Sequence, residues 1–368
     1  MLLATIFGAG TVNRGSMFDL SEFRNRTLPL EREVTSKWQG DLGQPVVSVL
    51  CNTFNHEAYI EDAIRGFLIQ RTQFPFEIII HDDASTDNNI KIIKEYAEQY
   101  PKIIKLVSQD VNQYSQGKKP TALSFQYARG KYIALCEGDD FWVNPEKLQF
   151  QCDLLDSKGG VDGCAHAAFA MNANGEVKLI NYYDASVLAC NEVCKTGGGV
   201  VPTASLFLRR IVVERFCQLF EDAPLGDYFI QALAAESEGL AYEPKAASVY
   251  RLGTGSSVSN AEKRKAPDQM ERFAFNFSRC LDRLDLEFRG EHRESIMYFK
   301  ASMYKEAAIR ALVYGKDEKL FGRLIELSSG KMTSFNHCFV FIFRRLPWVL
   351  SVAYKFRDKA RRIISRII

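Results

Sequence analysis

Apolar and polar positions along the first 160 residues follow two periods in turn. Pro45-Val46-Val47-Ser48-Val49-Leu50-Cys51 is a β-rich apolar run, the pattern of a strand buried on both faces. From Glu57 to Gln70 the apolar residues Ala58, Ile60, Ala63, Ile64, Phe67 and Leu68 fall at helical spacing. The same succession then repeats. It predicts strands over 76–81, 103–107 and 131–136, and helices over 88–100 and 121–129. Such alternation makes an α/β fold with a mostly parallel central sheet and helices on both faces.

Past Asp140 the pattern changes. Pro145 to Ser157 reads as a helix with proline near its first turn. Residues 161–210 read as β-rich and loop-rich, with the Gly197-Gly198-Gly199 run inside them. A helix is predicted over 227–237 and a strand over 246–252. From about 267 to 315 the spacing is helical, with a break near Gly290. The expected organisation is an irregular lead-in (1–44), an α/β domain (45–258), a helical appendage (259–330) and a C-terminal tail (331–368).

In open α/β sheets ligands bind beyond the carboxyl ends of the strands. Three predicted strand ends carry polar or acidic clusters: Asn52-Thr53-Phe54-Asn55, Asp82-Asp83-Ala84-Ser85-Thr86-Asp87 and Glu137-Gly138-Asp139-Asp140. Carboxylates set so close repel one another unless a proton or a cation lies between them. Mg²⁺ or Mn²⁺, shared with a substrate phosphate, suits oxygen ligands of this kind. The dinucleotide fingerprint G-x-G-x-x-G does not follow the first strand, and no Walker lysine motif is present. Turn and helix-cap chemistry is the expected task of Asp82, Ser85 and Asp87.

Charge and cysteine content add boundaries. The chain of 368 residues is 46% hydrophobic and 25% charged, an ordinary globular composition. Its net charge of +2 is unevenly spread: residues 344–368 hold eight Lys or Arg against one Asp, which leaves the remainder near −5. That imbalance argues against a nucleic-acid coat and for a local anionic partner. Nine cysteines, several within apolar runs, suit reduced buried thiols and a cytoplasmic setting. Cys190 and Cys194 form the closest pair, without the further ligands a zinc site needs. His166 stands in an apolar stretch and is expected in the core. Met1 to Gly10 is apolar but short and without a basic start, so no secretory leader is expected. The longest apolar stretch, 338–354, is cut by Arg344-Arg345 and Pro347, so no membrane span is expected either.

Taken together, Val47-Ser48-Val49 with Thr53-Phe54-Asn55, Asp82 to Asp87, Gly130-Lys131-Tyr132-Ile133-Ala134 and Glu137-Gly138-Asp139-Asp140-Phe141-Trp142 resemble the family 2 glycosyltransferases of the GT-A fold, of the bacterial cell-surface polysaccharide type. The resemblance runs over about residues 45–255. It implies inverting transfer of a sugar from a nucleotide diphosphate sugar, aided by Mn²⁺ or Mg²⁺. By position, Thr53 matches the residue that touches the nucleotide base, and Asp83 the aspartate that accepts from the base N3–H of uracil or thymine. Asp140 matches the direct metal ligand, and Asp139 reaches the ribose or the metal. Asp227, in Pro224-Leu225-Gly226-Asp227, matches the base that takes the acceptor proton, although an aspartate starting a helix is also a common N-cap. Val201 to Ser205 resembles the segment lining the acceptor side. Tyr250-Arg251-Leu252-Gly253 resembles a segment that often ends in histidine; Gly253 stands there instead, and Arg251 or Lys118-Lys119 is expected to offset diphosphate charge.

The tail reads as a basic amphipathic helix. Phe356, Ala360, Ile363, Ile364 and Ile367 share one face, and Lys355, Lys359, Arg362 and Arg366 occupy the rest, with Trp348 just before. This pattern suits contact with an anionic membrane surface, at the inner face of the cell membrane, where a lipid-linked or cell-surface glycan acceptor would be met. Two other functions remain open at this point: a nucleotidyltransferase, and a non-catalytic glycan-binding or scaffold protein. The Gly-rich basic loop expected of the first is missing after the first strand, and the second predicts loss of the acidic residues.

Overall fold

A computed structural model describes residues 18–41, 43–254, 267–313 and 317–328. They fall into two compact units, divided at about residue 260.

The lead-in is more ordered than its sequence suggests. It holds two short helices, α1 (Leu20–Asn25) and α2 (Glu31–Thr35). The Asp19 carboxylate caps α1 by accepting from the amides of Ser21 and Glu22. Too few residues repeat in either helix for a period to show. Phe23 and Val34 are buried by the domain that follows rather than by their own neighbours.

The first unit is built on one ten-stranded sheet. Its elements run β1 (Val47–Thr53), α3 (Ile60–Leu68), β2 (Phe76–Asp82), α4 (Asn89–Gln99), β3 (Ile104–Ser108), α5 (Pro120–Phe125) and β4 (Tyr132–Leu135). They continue with β5 (Phe141–Trp142), α6 (Lys147–Ser157), β6 (Gly163–Met171), β7 (Val177–Ile180) and β8 (Val187–Leu188). The unit closes with α7 (Cys190–Thr196), β9 (Phe207–Arg209), α8 (Arg210–Leu219), α9 (Gly226–Ala235) and β10 (Leu240–Arg251). The order across the sheet is β3-β2-β1-β4-β9-β6-β10-β5, with β7 beside β6 and β8 beside β10. The half from β3 to β4 is parallel, as its apolar runs predict. Beyond β4 the sheet is mixed: β9 runs antiparallel to β4 and β6, whereas β10 is parallel to β6. The second half carries short strands whose direction no period reveals.

The core lies between β1, β2, β4 and the helices α3 and α4, with Val49, Ile64, Phe67, Ile78, Ile80 and Ile93 fully buried. Trp142 closes it from below the acidic turn. Its ring meets Phe67 edge-on at 4.7 Å, and its Nε1 donates to the Ala204 carbonyl at 2.8 Å. Gly66 permits this approach, because a Cβ there would lie 2.6 Å from the Trp142 carbonyl oxygen.

The second unit contains α10 (Pro267–Glu287), α11 (Arg293–Val313) and α12 (Glu318–Ser328). The break near Gly290 is where the spacing predicts it, and Gly290 adopts φ +79°, a conformation open to glycine. Phe277 packs on Phe299 across the helix pair, and Lys300 pairs with Asp282. The amphipathic tail (331–368) lies outside the described residues. No described helix is long and apolar enough to cross a membrane.

Candidate active site

The three polar clusters meet because the sheet ladder continues past the strand ends. Thr53 stands opposite Asp82 in the β1–β2 register. The Asp83 amide then donates to the Thr53 carbonyl at 3.0 Å, and the Gly138 amide to the Asn52 carbonyl at 2.9 Å. Gly138 fits only because it has no side chain: a Cβ there would lie 2.6 Å from Thr53 Oγ1 and 3.0 Å from His56 Nδ1.

The acidic turn after β4 is a tight group. Glu137, Asp139 and Asp140 each offer a carboxylate oxygen within 4.8 Å of the others. Asp140 is 1% exposed; its Oδ1 accepts from the Arg251 amide at 2.9 Å. Its Oδ2 is buried without a partner among the described residues. Burial, then the Asp139 charge, pushes the Asp140 carboxyl well above the usual carboxylate range. Glu137 stands at the solvent-exposed rim, where partial loss of hydration and then the charges of Asp139 and Asp227 raise its carboxyl above the usual range. A buried carboxylate oxygen without a donor calls for a proton or a cation, and the all-oxygen set suits a hard divalent ion. The residues therefore fit the group that the sequence implies.

Asp139 is the more accessible aspartate. Its Oδ2 accepts from Thr254 Oγ1 at 2.7 Å, and His56 Nε2 lies 3.9 Å away. Burial holds the His56 imidazole below its ordinary pKa despite that neighbour. Asp83 is buried, and its two oxygens accept from the amides of Gln113 and Tyr114 at 2.7 and 2.9 Å. It thus anchors the loop after β3. Asp82, Ser85 and Asp87 carry turn and cap bonds: Asp82 Oδ1 accepts from the Ser85 amide, Ser85 Oγ from the Asn55 amide, and Asp87 Oδ1 from the Asn89 amide.

Asp227 is the second residue of α9, so it is not the cap; Leu225 holds that place. One of its oxygens accepts from the Tyr228 amide at 3.0 Å. Burial raises its pKa, against the pull of that amide and of nearby Lys119. The preceding glycine run is fixed behind it, with Gln231 Nε2 donating to the carbonyls of Gly198 and Val201.

Residues 48–216 match the glycosyl transferase family 2 profile. Over these residues, a little under half of its length, the chain is similar to that family. An uncharacterised protein of Mycobacterium tuberculosis is 41% identical over 129 residues, 35% of this chain and 37% of its own. The chain thus spans little more than a third of that relative's length. An uncharacterised glycosyltransferase of Haemophilus influenzae is 27% identical over 227 residues, 60% of this chain and 85% of its own. Among solved structures, S. aureus TarS 1–349 in complex with UDP has a similar fold, with a TM-score of 0.60 at 16% identity over 84% of this chain and 91% of that one.

Thr53, Asp83, Asp139 and Asp140 gather on neighbouring strand ends, and the charge of Asp227, beyond the matched residues, acts on Glu137 of the acidic turn. Arg251 has a different setting from that of an open phosphate ligand. Its guanidinium is 6% exposed, donates to the Asp139 carbonyl and to Asp62, and packs over Phe141 at 4.4 Å. Lys119 lies 5.9 Å from the Tyr114 ring, and its charge acts on Asp227. In the sequence reading Glu137 belongs to the acidic cluster without a role of its own, and His56 and Asp62 are missed. Glu137 stands two residues before Asp139, a spacing that returns both side chains to one side of an extended turn; His56 and Asp62 carry no such signal. His166 is buried in the core, away from this site, with Nδ1 against the Ala167 carbonyl.

Proposed function

We propose that the chain is an inverting, divalent-metal-dependent glycosyltransferase that moves a sugar from a nucleotide diphosphate sugar to a hydroxyl of a cell-surface glycan or its lipid-linked precursor. The buried Oδ2 of Asp140, unpartnered among the described residues, carries this reading within the acidic group. Asp140 and Asp139 would hold Mn²⁺ or Mg²⁺, with Glu137 at the rim. Bound there, the ion supplies Lewis-acid stabilisation of the departing diphosphate. Thr53 and Asp83 line the nucleoside end, for which UDP or dTDP is the proposed class; the structural neighbour TarS is itself solved with UDP.

Asp227 is the proposed base. An inverting displacement needs a carboxylate on the face opposite the leaving group, to take the acceptor proton as the new bond forms. A pKa raised by burial makes Asp227 a stronger base than a solvated carboxylate. The proposed location is the inner face of the cell membrane, with the basic tail on anionic lipid.

A panel of nucleotide sugars with and without Mn²⁺, read by thermal stabilisation and then by sugar transfer, tests the reading. A Mn²⁺-dependent rise in Tm for one uridine or thymidine diphosphate sugar supports it. Metal-independent binding across the panel, or nucleotidyl rather than glycosyl transfer, would reject it.

A further inference from the structure

The segment before the family match reaches the acidic turn through a series of charges that runs inward from half-exposed Arg24 to buried Asp62 and Arg251. Arg24 of α1 grips Asp62 of α3 with two bonds, Nε to Oδ1 at 2.9 Å and Nη2 to Oδ2 at 2.7 Å. Asp62 is 3% exposed, and the same Oδ2 accepts from Arg251 Nη2. Arg251 then holds the turn at two places: Nη1 donates to the Asp139 carbonyl at 2.7 Å, and its amide to Asp140 Oδ1. Aromatic rings repeat the connection. Phe23 meets Phe141 at 5.1 Å, Phe18 meets Phe141 at 5.6 Å, and Arg251 lies over the same Phe141 ring. Arg65 closes the arrangement by donating to the carbonyls of Arg24 and Arg26 at the end of α1.

We propose that Arg24 is a positioning residue for the acidic turn: it orients Asp62, which orients Arg251, which sets where the Asp139 and Asp140 carboxylates stand. The two-bond Arg24–Asp62 pair fixes angle as well as distance, and so sets the Oδ2 on which the Arg251 guanidinium rests. Asp62 without Arg24 keeps one cation, but is free to turn and to take Arg251 with it. The lead-in is then a working part of the site although residues 18–35 lie outside the family match. The inference rests on the proposed reading of the turn as the ion and diphosphate site.

The test compares Arg24→Met, Arg24→Lys and the surface control Arg71→Met in the full chain. Amide exchange of residues 137–143 reports the turn without any metal, and the free Mn²⁺ signal in electron paramagnetic resonance reports affinity without donor. Arg24→Met should speed exchange in 137–143, leave 76–82 protected, and weaken Mn²⁺ binding by about tenfold, the scale of one charged hydrogen bond. Arg24→Lys, which keeps the charge but not the fork, should fall between it and wild type, and Arg71→Met should match wild type. Unchanged exchange in 137–143, or unchanged Mn²⁺ affinity in a wild type that binds Mn²⁺, overturns the inference. If Arg24→Met does not fold, Arg24→Lys decides by the same two measurements. Wild type that binds no Mn²⁺ overturns the metal reading instead, and leaves the exchange data to judge Arg24.

Discussion

The Arg251 amide holds Oδ1 of Asp140 at 2.9 Å, while Oδ2 of the same carboxylate is buried without a donor among the described residues. That asymmetry makes Asp140 a burden on the metal-free protein. Its pKa is raised in the folded state. Above the ordinary carboxylate pKa the unfolded chain releases the proton first, so metal-free stability falls as pH rises from about 4 towards the raised value. Asp140→Asn should remove that slope, keep or raise the metal-free Tm at neutral pH, and abolish the Tm gain on adding Mn²⁺. Thermal melts across pH, with and without Mn²⁺, check all three. A variant that still gains stability from Mn²⁺ would remove Asp140 as the ligand.

Asp227 predicts a different failure. Asp227→Asn should leave donor binding within a few-fold of wild type and lower turnover by about 10²–10⁴, the usual contribution of a positioned base. The base must be ionised, so log(kcat/KM) should fall on the acid side through a pKa above the ordinary carboxylate range. Lys119 pulls that pKa down, so Lys119→Met should move the acid limb to higher pH. A limb that stays in place would show that Lys119 does not act on Asp227.

Much of this site can be read in the chain because strand ends announce themselves. Apolar runs locate β1, β2 and β4, and the polar clusters follow them directly. What cannot be read comes from pairings distant in sequence. Arg251 carries a cation beside an acidic site, which suggests a phosphate ligand; its burial against Asp62, 189 positions away, depends on how β10 lies in the sheet. Asp83 likewise looks open in sequence, and only the returning loop at Gln113 and Tyr114 covers it. The lead-in resembles irregular chain because Phe18 and Phe23 find their partners, Phe141 and Phe169, far downstream.

Gly138 joins the two sides of the proposed nucleoside end. Gly138→Ala places a methyl 2.6 Å from Thr53 Oγ1 and 2.7 Å from its Cβ, closer than such atoms sit. Thr53 is buried and bonds Asn89 at 3.3 Å, so it has little room to withdraw. The expected cost is about 1–3 kcal/mol of stability, the range for overpacking a core, with a rise in donor KM as Thr53 shifts. Urea unfolding and donor titration check this; a fully stable variant with wild-type KM would mean that Thr53 yields freely.

Behind the acidic turn, Lys147 is a fully buried amine that pairs with no carboxylate among the described residues. Its Nζ donates to Gln151 at 2.7 Å and lies 3.9 Å over the Trp142 ring. Burial lowers its pKa to about 7, with the thiols of Cys136 and Cys164 opposing. Below pH 7 both folded and unfolded chains carry the proton, and the full cost of the buried charge is present. Between about 7 and the unfolded value near 10.4, only the unfolded chain holds the proton, so this group makes stability rise with pH. Lys147→Met lacks that contribution and shares every other titrating group. The difference in unfolding free energy, wild type minus variant, should therefore grow in favour of wild type from pH 6.5 to 9.5, by an amount on the order of a few kcal/mol. Urea midpoints at several pH values measure it. A difference that stays constant with pH would mean that Lys147 keeps its charge in the core, held by the Trp142 face and Gln151 alone.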